Sequence, residues 1–471
     1  MVPPAMNYVS TRGQAPERDF AGVLLAGLAE DGGLFMPARW PLLSPADLRA
    51  WRGLPYKELA ARVLHLFTGD SVPLPALRAI CAEAYAGFDS LATVPLVQLE
   101  TGIFVLELFH GPTLAFKDLA MQVLGRLFDH VLAERDARLT IVGATSGDTG
   151  SAAIEAVRGS TRIDIVILHP AGRTSEVQRR QMTTVDAPNV RNLAVEGDFD
   201  DCQRLVKSMF ADQGFRTSLR LSAVNSINWA RIAAQIPYYI AAALALGAPE
   251  RQMAFAVPTG NFGNVFAAWA ARRIGLPTAR LIVGSNRNDI LTRFLHHNDM
   301  SRRPVHPSLS PSMDIGISSN FERLLFELLG RDPAATAACM EGFAATGRMA
   351  VPHPAWQAAT ALFEGFRLDD AGTLAEIGRI WRENQYLADP HTAVGIAAAR
   401  AWRQADVPIV VAGTAHPAKF PDAMDQALGQ RPALPPRLAD LYHRAERYSL
   451  VANDLGAVQQ AVRDFAMRNA A

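Results

Sequence analysis

The chain has 471 residues, 49% of them hydrophobic, enough to bury more than one core. Its 46 Lys+Arg balance 46 Asp+Glu to a formal net charge of +0, so no overall field marks a nucleic-acid or membrane partner and any anion must be bound locally. The three cysteines, Cys81, Cys202 and Cys339, lie far apart and exclude a disulfide framework or a thiolate metal cage.

They read instead as small buried hydrophobes in a reducing cytosol. The first residues show no cationic segment followed by an apolar run, so no secretory signal is read there and a cytoplasmic location is expected. The longest apolar stretch, 236–248, is about 13 residues against the roughly 20 that a membrane span needs.

In chain order, helical patterns over 20–28, 56–64 and 76–84, punctuated by prolines, predict a mostly helical N-terminal domain, 1–92. Residues 103–108 read as a buried strand, Gly111-Pro112 ends it, and 121–132 carry apolar residues at helical spacing. Lys117 therefore falls near a helix start, where the dipole disfavours a cation. A crowded, partly desolvated amine with lowered proton affinity is nucleophilic toward a carbonyl. Taken alone, the same stretch also fits an ordinary solvated lysine.

From 139 onward, short apolar runs alternate with loops of small polar residues and Ala-rich helices. The runs, 139–142, 163–168, 190–195, 219–224, 253–257, 281–283 and 407–411, are mostly continuous rather than alternating, as in parallel strands covered on both faces. The fold class is thus α/β: two parallel-sheet domains, a small one over 93–230 and a large one over 231–471, beside the helical N-terminal domain. Residues 286–382, rich in proline loops and Ala-rich helices, read as a helical insertion in the large domain, and 434–471 as helix. Ligands in such sheets collect at the carboxyl ends of strands, which selects the loops to read.

After the first of these strands comes Thr145-Ser146-Gly147-Asp148-Thr149-Gly150, whose N–H groups and hydroxyls suit an anion. It lacks the Gly-Lys-Ser/Thr ending of a nucleotide loop, and an ordinary capped helix start is the alternative. Gly260-Asn261-Phe262-Gly263-Asn264 repeats the logic ahead of a helix over 265–273. Its Gly-x-x-Gly spacing fails the dinucleotide fingerprint and suits a mononucleotide-sized phosphate ester. Ser226, Asn228, Arg231 and Gln235 follow another strand, where an arginine either grips phosphate or belongs to a polar helix face. Thr414 and His416 end the last strand, His416 as a base or as a hydrogen-bonded structural residue. The His296-His297 pair cannot converge on one metal from one helix side, so no metal is expected.

Together, Tyr8-Val9-Ser10-Thr11-Arg12-Gly13, Glu30-Asp31-Gly32-Gly33, Phe109-His110-Gly111-Pro112-Thr113-Leu114-Ala115-Phe116-Lys117-Asp118, Gly147-Asp148-Thr149-Gly150, Gly260-Asn261-Phe262-Gly263-Asn264 and Ser312-Met313-Asp314-Ile315-Gly316 resemble the threonine synthase family. These are pyridoxal-phosphate enzymes of fold type II, the tryptophan-synthase-β-like fold. The resemblance covers nearly the whole chain and implies the cofactor pyridoxal 5'-phosphate, held by Lys117 as an internal aldimine. It implies that 260–264, including Gly260, Asn261, Phe262, Gly263 and Asn264, hold the cofactor phosphate, and that Thr414 faces the pyridine nitrogen. Shorter members carry asparagine at the place of Asp148, near the ring oxygen, so Asp148 either holds a proton or turns away.

The resemblance further implies conversion of O-phospho-L-homoserine and water to L-threonine and phosphate, the last step of threonine biosynthesis. Thr145, Ser146, Thr149, Ser226, Asn228 and Arg231 are then the candidates for the substrate phosphate. The expected assembly is a monomer or homodimer. A phospho-lyase of the same fold, releasing a 2-oxo acid, would share these motifs. A catalytically silent anion-sensing scaffold would have lost the lysine or the glycine cup, and this chain keeps both.

Overall fold

The computed structural model describes residues 6–145, 147–222 and 226–468 and divides the chain into two compact units. The first comprises Met1–Val23, Leu28–Phe116 and Ser226–Pro432. Its sheet has six strands in the order Phe363–Arg367, Thr278–Ser285, Met253–Pro258, Ile409–Gly413, Ile103–Glu107, Leu96–Glu100. All neighbours are parallel except the last pair, an antiparallel edge. Continuous apolar runs make this possible: Met253–Pro258 and Ile409–Gly413 are buried at every position. On one face Ile103, Val105, Ala254, Ala256, Ile282 and Val411 meet Ile377, Ile380 and Ile396 from the helices Asp370–Asn384 and Pro390–Trp402.

The N-terminal part of this unit adds the helices Phe20–Ala26, Tyr56–Thr68 and Leu74–Tyr85, the first of them shared with the other unit. A short antiparallel pair, Tyr8–Ser10 with Phe35–Pro37, accompanies them. The Thr11-Arg12 motif is an anchor. Arg12 Nε and Nη2 donate to the two oxygens of Glu322, each at 3.0 Å, and Thr11 Oγ1 donates to Glu322 at 2.6 Å. With Glu322 only 4% exposed, this shielded bidentate pair fixes the start of the helix Phe321–Leu328.

The second unit comprises Leu24–Gly27, Lys117–Asn225 and Ala433–Ala471. Its five strands, Ser449–Val451, Val190–Val195, Ile163–Pro170, Leu139–Ala144 and Leu221–Ser222, are all parallel. Val142, Val166, Leu168, Leu193 and Val195 pack against Leu205, Met209, Val458 and Val462. The helices Lys117–Glu134 and Asp148–Val157 cross closely at Gly125, where an added Cβ would lie 2.2 Å from the Ala156 carbonyl oxygen.

The α/β class and the parallel strands are as the sequence predicts, with three differences. The strand Ile103–Glu107, which the sequence places in the small domain over 93–230, pairs with Ile409–Gly413 in the six-stranded sheet and not with Leu139–Ala144. Residues 286–382 contain a strand, Phe363–Arg367, whose alternating burial belongs to a sheet edge and which follows an Ala-rich helix without a turn signal. Among the described residues the C-terminal segment is α-helical only over Leu455–Arg468, with short 3-10 turns at Pro436–Leu438 and Leu441–His443. Pro435-Pro436 breaks the pattern before it, and Ser449–Val451 joins the sheet.

Candidate active site

Within the first unit, the segment preceding Lys117 is pinned to the end of the last strand. Phe116 N–H donates to the Thr414 carbonyl at 2.9 Å, His416 N–H to Leu114 at 3.0 Å, and the buried Lys419 ammonium to the Thr113 carbonyl at 2.6 Å. Lys117 is the next residue and the first of the helix Lys117–Glu134, as the sequence suggests.

In the second unit Lys117 Nζ lies 3.1 Å from Asp148 Oδ2, with the two side chains 11% and 5% exposed. The other oxygen, Oδ1, accepts from Gln178 Nε2 at 2.8 Å. Asp148 thus neither turns away nor stands alone: it is the counter-ion of the lysine. Gln178 can reach it because Gly147, at φ 156°, has no side chain; a Cβ there would sit 2.5 Å from Gln178 Cδ. Thr145 is used within its own loop, its hydroxyl accepting from the N–H of Gly147 and of Gly150, each at 3.0 Å. Thr149 is half-buried on the following helix, and Ser146 lies outside the described residues.

In the first unit residues 260–264 form a cup. Ser318 Oγ donates to the Gly260 carbonyl at 2.7 Å, and Asn320 N–H and Nδ2 donate to the Asn261 carbonyl at 3.0 and 3.1 Å. These carbonyls are occupied, and no N–H from Gly260 to Asn264 has an acceptor among the described residues. Phe262, at φ 64°, makes the turn into the helix Gly263–Arg273. Asn264 is 5% exposed, and its Nδ2 has no hydrogen-bond partner among the described residues. A loop offering only donors at a helix N-terminus, with a buried amide NH2 unused, fits a phosphate dianion.

Ser226, Asn228 and Arg231 lie in the same unit. Ser226 Oγ is 3.3 Å from Ser319 Oγ, and Asn228 caps the short helix Trp229–Ala233 by accepting from Ala230 N–H at 3.0 Å. The helix stops before Gln235, so the expected continuous polar face is interrupted. Arg231 is 4% exposed, and among the described residues its Nη1 has no partner and no carboxylate pairs with it. Burial alone lowers its guanidinium to about 10. Asn225 lies outside the described residues.

Two residues absent from the sequence reading brace these loops. Asn320 Nδ2 also donates to the Ser226 carbonyl at 3.1 Å, while Arg323 donates to Asn320 Oδ1 at 3.0 Å and to the Ile227 carbonyl at 2.6 Å. Both are fully buried. Their only signal in the sequence is a polar cluster, Ser318-Ser319-Asn320, at the start of an amphipathic helix.

Thr414 is 6% exposed, and its N–H donates to Thr392 Oγ1 at 3.2 Å; Thr392 in turn donates to the buried Asp389. His391 takes the Ser312 N–H on Nε2 at 3.2 Å and bonds Asp389 through Nδ1 at 2.8 Å, which fixes its tautomer. His416 accepts the Ala418 N–H on Nδ1 at 3.2 Å, and burial holds it down to about 4, which favours its structural reading over a base. His296 bonds the Gly365 carbonyl at 2.9 Å. Among the described residues no group of three His, Cys, Asp or Glu is placed to hold a metal, and no helix is long and apolar enough to cross a membrane.

Family profiles match most of the chain. One described as threonine synthase N terminus matches residues 7–85, one described as pyridoxal-phosphate dependent enzyme matches 90–411, and one described as threonine synthase, C-terminal, matches 392–462. The chain is similar to threonine synthase from Pseudomonas aeruginosa, with 55% identity over 97% of this chain and 98% of that protein. It is 42% identical to threonine synthase from Corynebacterium glutamicum over 98% of each. Among solved structures, pyridoxal-phosphate-bound threonine synthase from Brucella melitensis superimposes with a TM-score of 0.96 at 51% identity, covering 98% of this chain and 100% of that one.

Proposed function

The chain belongs to the threonine synthase family of pyridoxal-phosphate dependent enzymes, and from that membership we propose that it converts O-phospho-L-homoserine and water to L-threonine and phosphate. The observation that carries the reading in the structure is the donor-only loop 260–264, a cup suited to the cofactor phosphate. Lys117 supplies the primary amine that links to the cofactor aldehyde, and the Thr414 hydroxyl is assigned to the pyridine nitrogen. Such a hydroxyl leaves that nitrogen neutral. Bound there, pyridoxal phosphate acts as an electron sink that makes the hydrogens on the substrate's α- and β-carbons removable.

Lys117, released by the incoming amino group, takes the α-proton and then moves a β-proton. Asp148, 3.1 Å away, stabilises the ammonium form that each transfer produces. Arg231, buried and with no carboxylate partner among the described residues, is the assigned partner of the substrate phosphate, supported by Ser226 and Asn228. A guanidinium held this way helps the γ-phosphate depart with its bridging oxygen. Water then adds at Cβ, with the departing phosphate near Arg231 placed to exchange its proton.

The test is to incubate the cofactor-loaded protein with O-phospho-L-homoserine and identify the products. Threonine with equimolar phosphate is expected. 2-Oxobutyrate with phosphate would move the protein to the lyase reading, and no product would overturn the substrate.

A further inference from the structure

Asn264 closes the cup, and its amide can be inserted in two orientations. Its Oδ1 accepts from the Tyr239 hydroxyl at 2.6 Å and also from the Tyr238 hydroxyl. Both tyrosines stand side by side on the helix Ile236–Ala245 and are essentially fully buried, at 0% and 1% exposure. Each phenol carries one hydrogen. Tyr239 has one amide acceptor among the described residues, Asn264 Oδ1, and its hydroxyl also lies within hydrogen-bond reach of the Tyr238 hydroxyl. Tyr238 also faces Gln235 Oε1 at 3.2 Å, and that amide is itself fixed by donating from Nε2 to the Arg231 carbonyl at 2.8 Å. An amide whose oxygen takes two phenol hydrogens must turn its NH2 the other way. That NH2 is buried and has no partner among the described residues, as is true of the N–H groups of the cup.

We infer that Tyr238 and Tyr239 are positioning residues that lock the Asn264 amide so that its NH2 is offered to the cofactor phosphate. The inference rests on the reading of 260–264 as the phosphate cup. The two phenols are not equivalent. In Tyr239→Phe the amide is free to turn, because Tyr238 can accept from the NH2 while donating to Gln235, and the Asn264 oxygen then faces the phosphate. In Tyr238→Phe the Tyr239 hydroxyl still holds the oxygen in place.

Dissociation constants of pyridoxal phosphate and of pyridoxal, which lacks the phosphate, separate the possibilities when measured on cofactor-stripped wild type, Tyr238→Phe, Tyr239→Phe and the double variant. Tyr239→Phe and the double variant should weaken pyridoxal phosphate about tenfold, near 1.4 kcal/mol, and leave pyridoxal within about twofold; Tyr238→Phe should do much less. Unchanged pyridoxal phosphate affinity in the double variant, or a parallel loss of both ligands, would overturn the inference. Wild type binding the two ligands equally would overturn the cup reading beneath it. Asn264→Asp, the same size and still able to accept from both tyrosines, gives a second check: it should lose pyridoxal phosphate selectively, and unchanged binding would overturn the assignment of the NH2.

Discussion

Replacing Arg231 by methionine is expected to make the protein more stable and less able to handle phosphate. The guanidinium is 4% exposed, and among the described residues Nη1 has no partner and no carboxylate pairs with it. Burial lowers it from 12.5 to about 10, and at about 1.36 kcal/mol per pH unit this corresponds to a desolvation cost on the order of 3 kcal/mol. Methionine has similar length and no charge to desolvate, and the gain has the scale of the about 1–4 kcal/mol found when buried ion pairs are replaced by apolar residues. The cofactor-loaded variant should therefore unfold a few degrees higher than wild type. Added inorganic phosphate should raise the midpoint of wild type and leave that of Arg231→Met nearly unmoved, since the cofactor already fills the cup. Turnover should fall by at least about a hundredfold, the loss expected when a charged transition-state partner is removed. A variant less stable than wild type, or equally stabilised by phosphate, would refute the assignment of Arg231 as an unpaired anion partner.

Lys117→Ala should fold and still take up cofactor through the cup, yet show no visible absorbance band of a lysine-linked cofactor; persistence of that band would make another amine the anchor. Asp148→Asn removes the negative charge 3.1 Å from Lys117. An opposite charge at this range shifts a group by about 1–3 units, so the pH midpoint for cofactor capture should fall by at least about one unit, and an unchanged profile would exclude the ion pair from lysine chemistry. His416 carries a stability prediction. Burial holds it at about 4 instead of 6.5, so between those values the unfolded chain binds more protons and stability falls as pH drops from 6.5 toward 4. His416→Phe should flatten that slope by up to about 1.4 kcal/mol per pH unit, seen in urea melts at both ends of the range; an unaltered slope would place the acid sensitivity elsewhere.

Local pattern made part of this site legible. Lys117 could be placed at a helix start because an apolar strand, Gly111-Pro112 and a helical spacing of apolar residues follow one another within thirty or so positions. The cup could be found because a fully buried strand runs into Gly260-x-x-Gly263 and then a helix. What escaped the sequence depends on separations that periodicity does not encode. Asn320 meets Ser226 and Asn261, and Arg323 meets Ile227, across 94, 59 and 96 positions. Tyr238 and Tyr239 look like ordinary core aromatics in an apolar helix until Asn264 is seen to accept from both. The edge strand Phe363–Arg367 alternates and so lacks the continuous apolar signature that identified its neighbours. The sequence leaves Asp148 two options because its partner Gln178 lies 30 residues away on another helix.

The central claim is that this chain breaks a carbon–oxygen bond of a phosphate ester and then adds water at the neighbouring carbon. Turnover of O-phospho-L-homoserine by the cofactor-loaded protein in water enriched in oxygen-18, with mass analysis of both products, tests it directly. The account predicts threonine with the heavy oxygen in its β-hydroxyl and phosphate that carries none. Heavy oxygen in the phosphate together with unlabelled homoserine would mean simple ester hydrolysis at phosphorus, and would contradict the account.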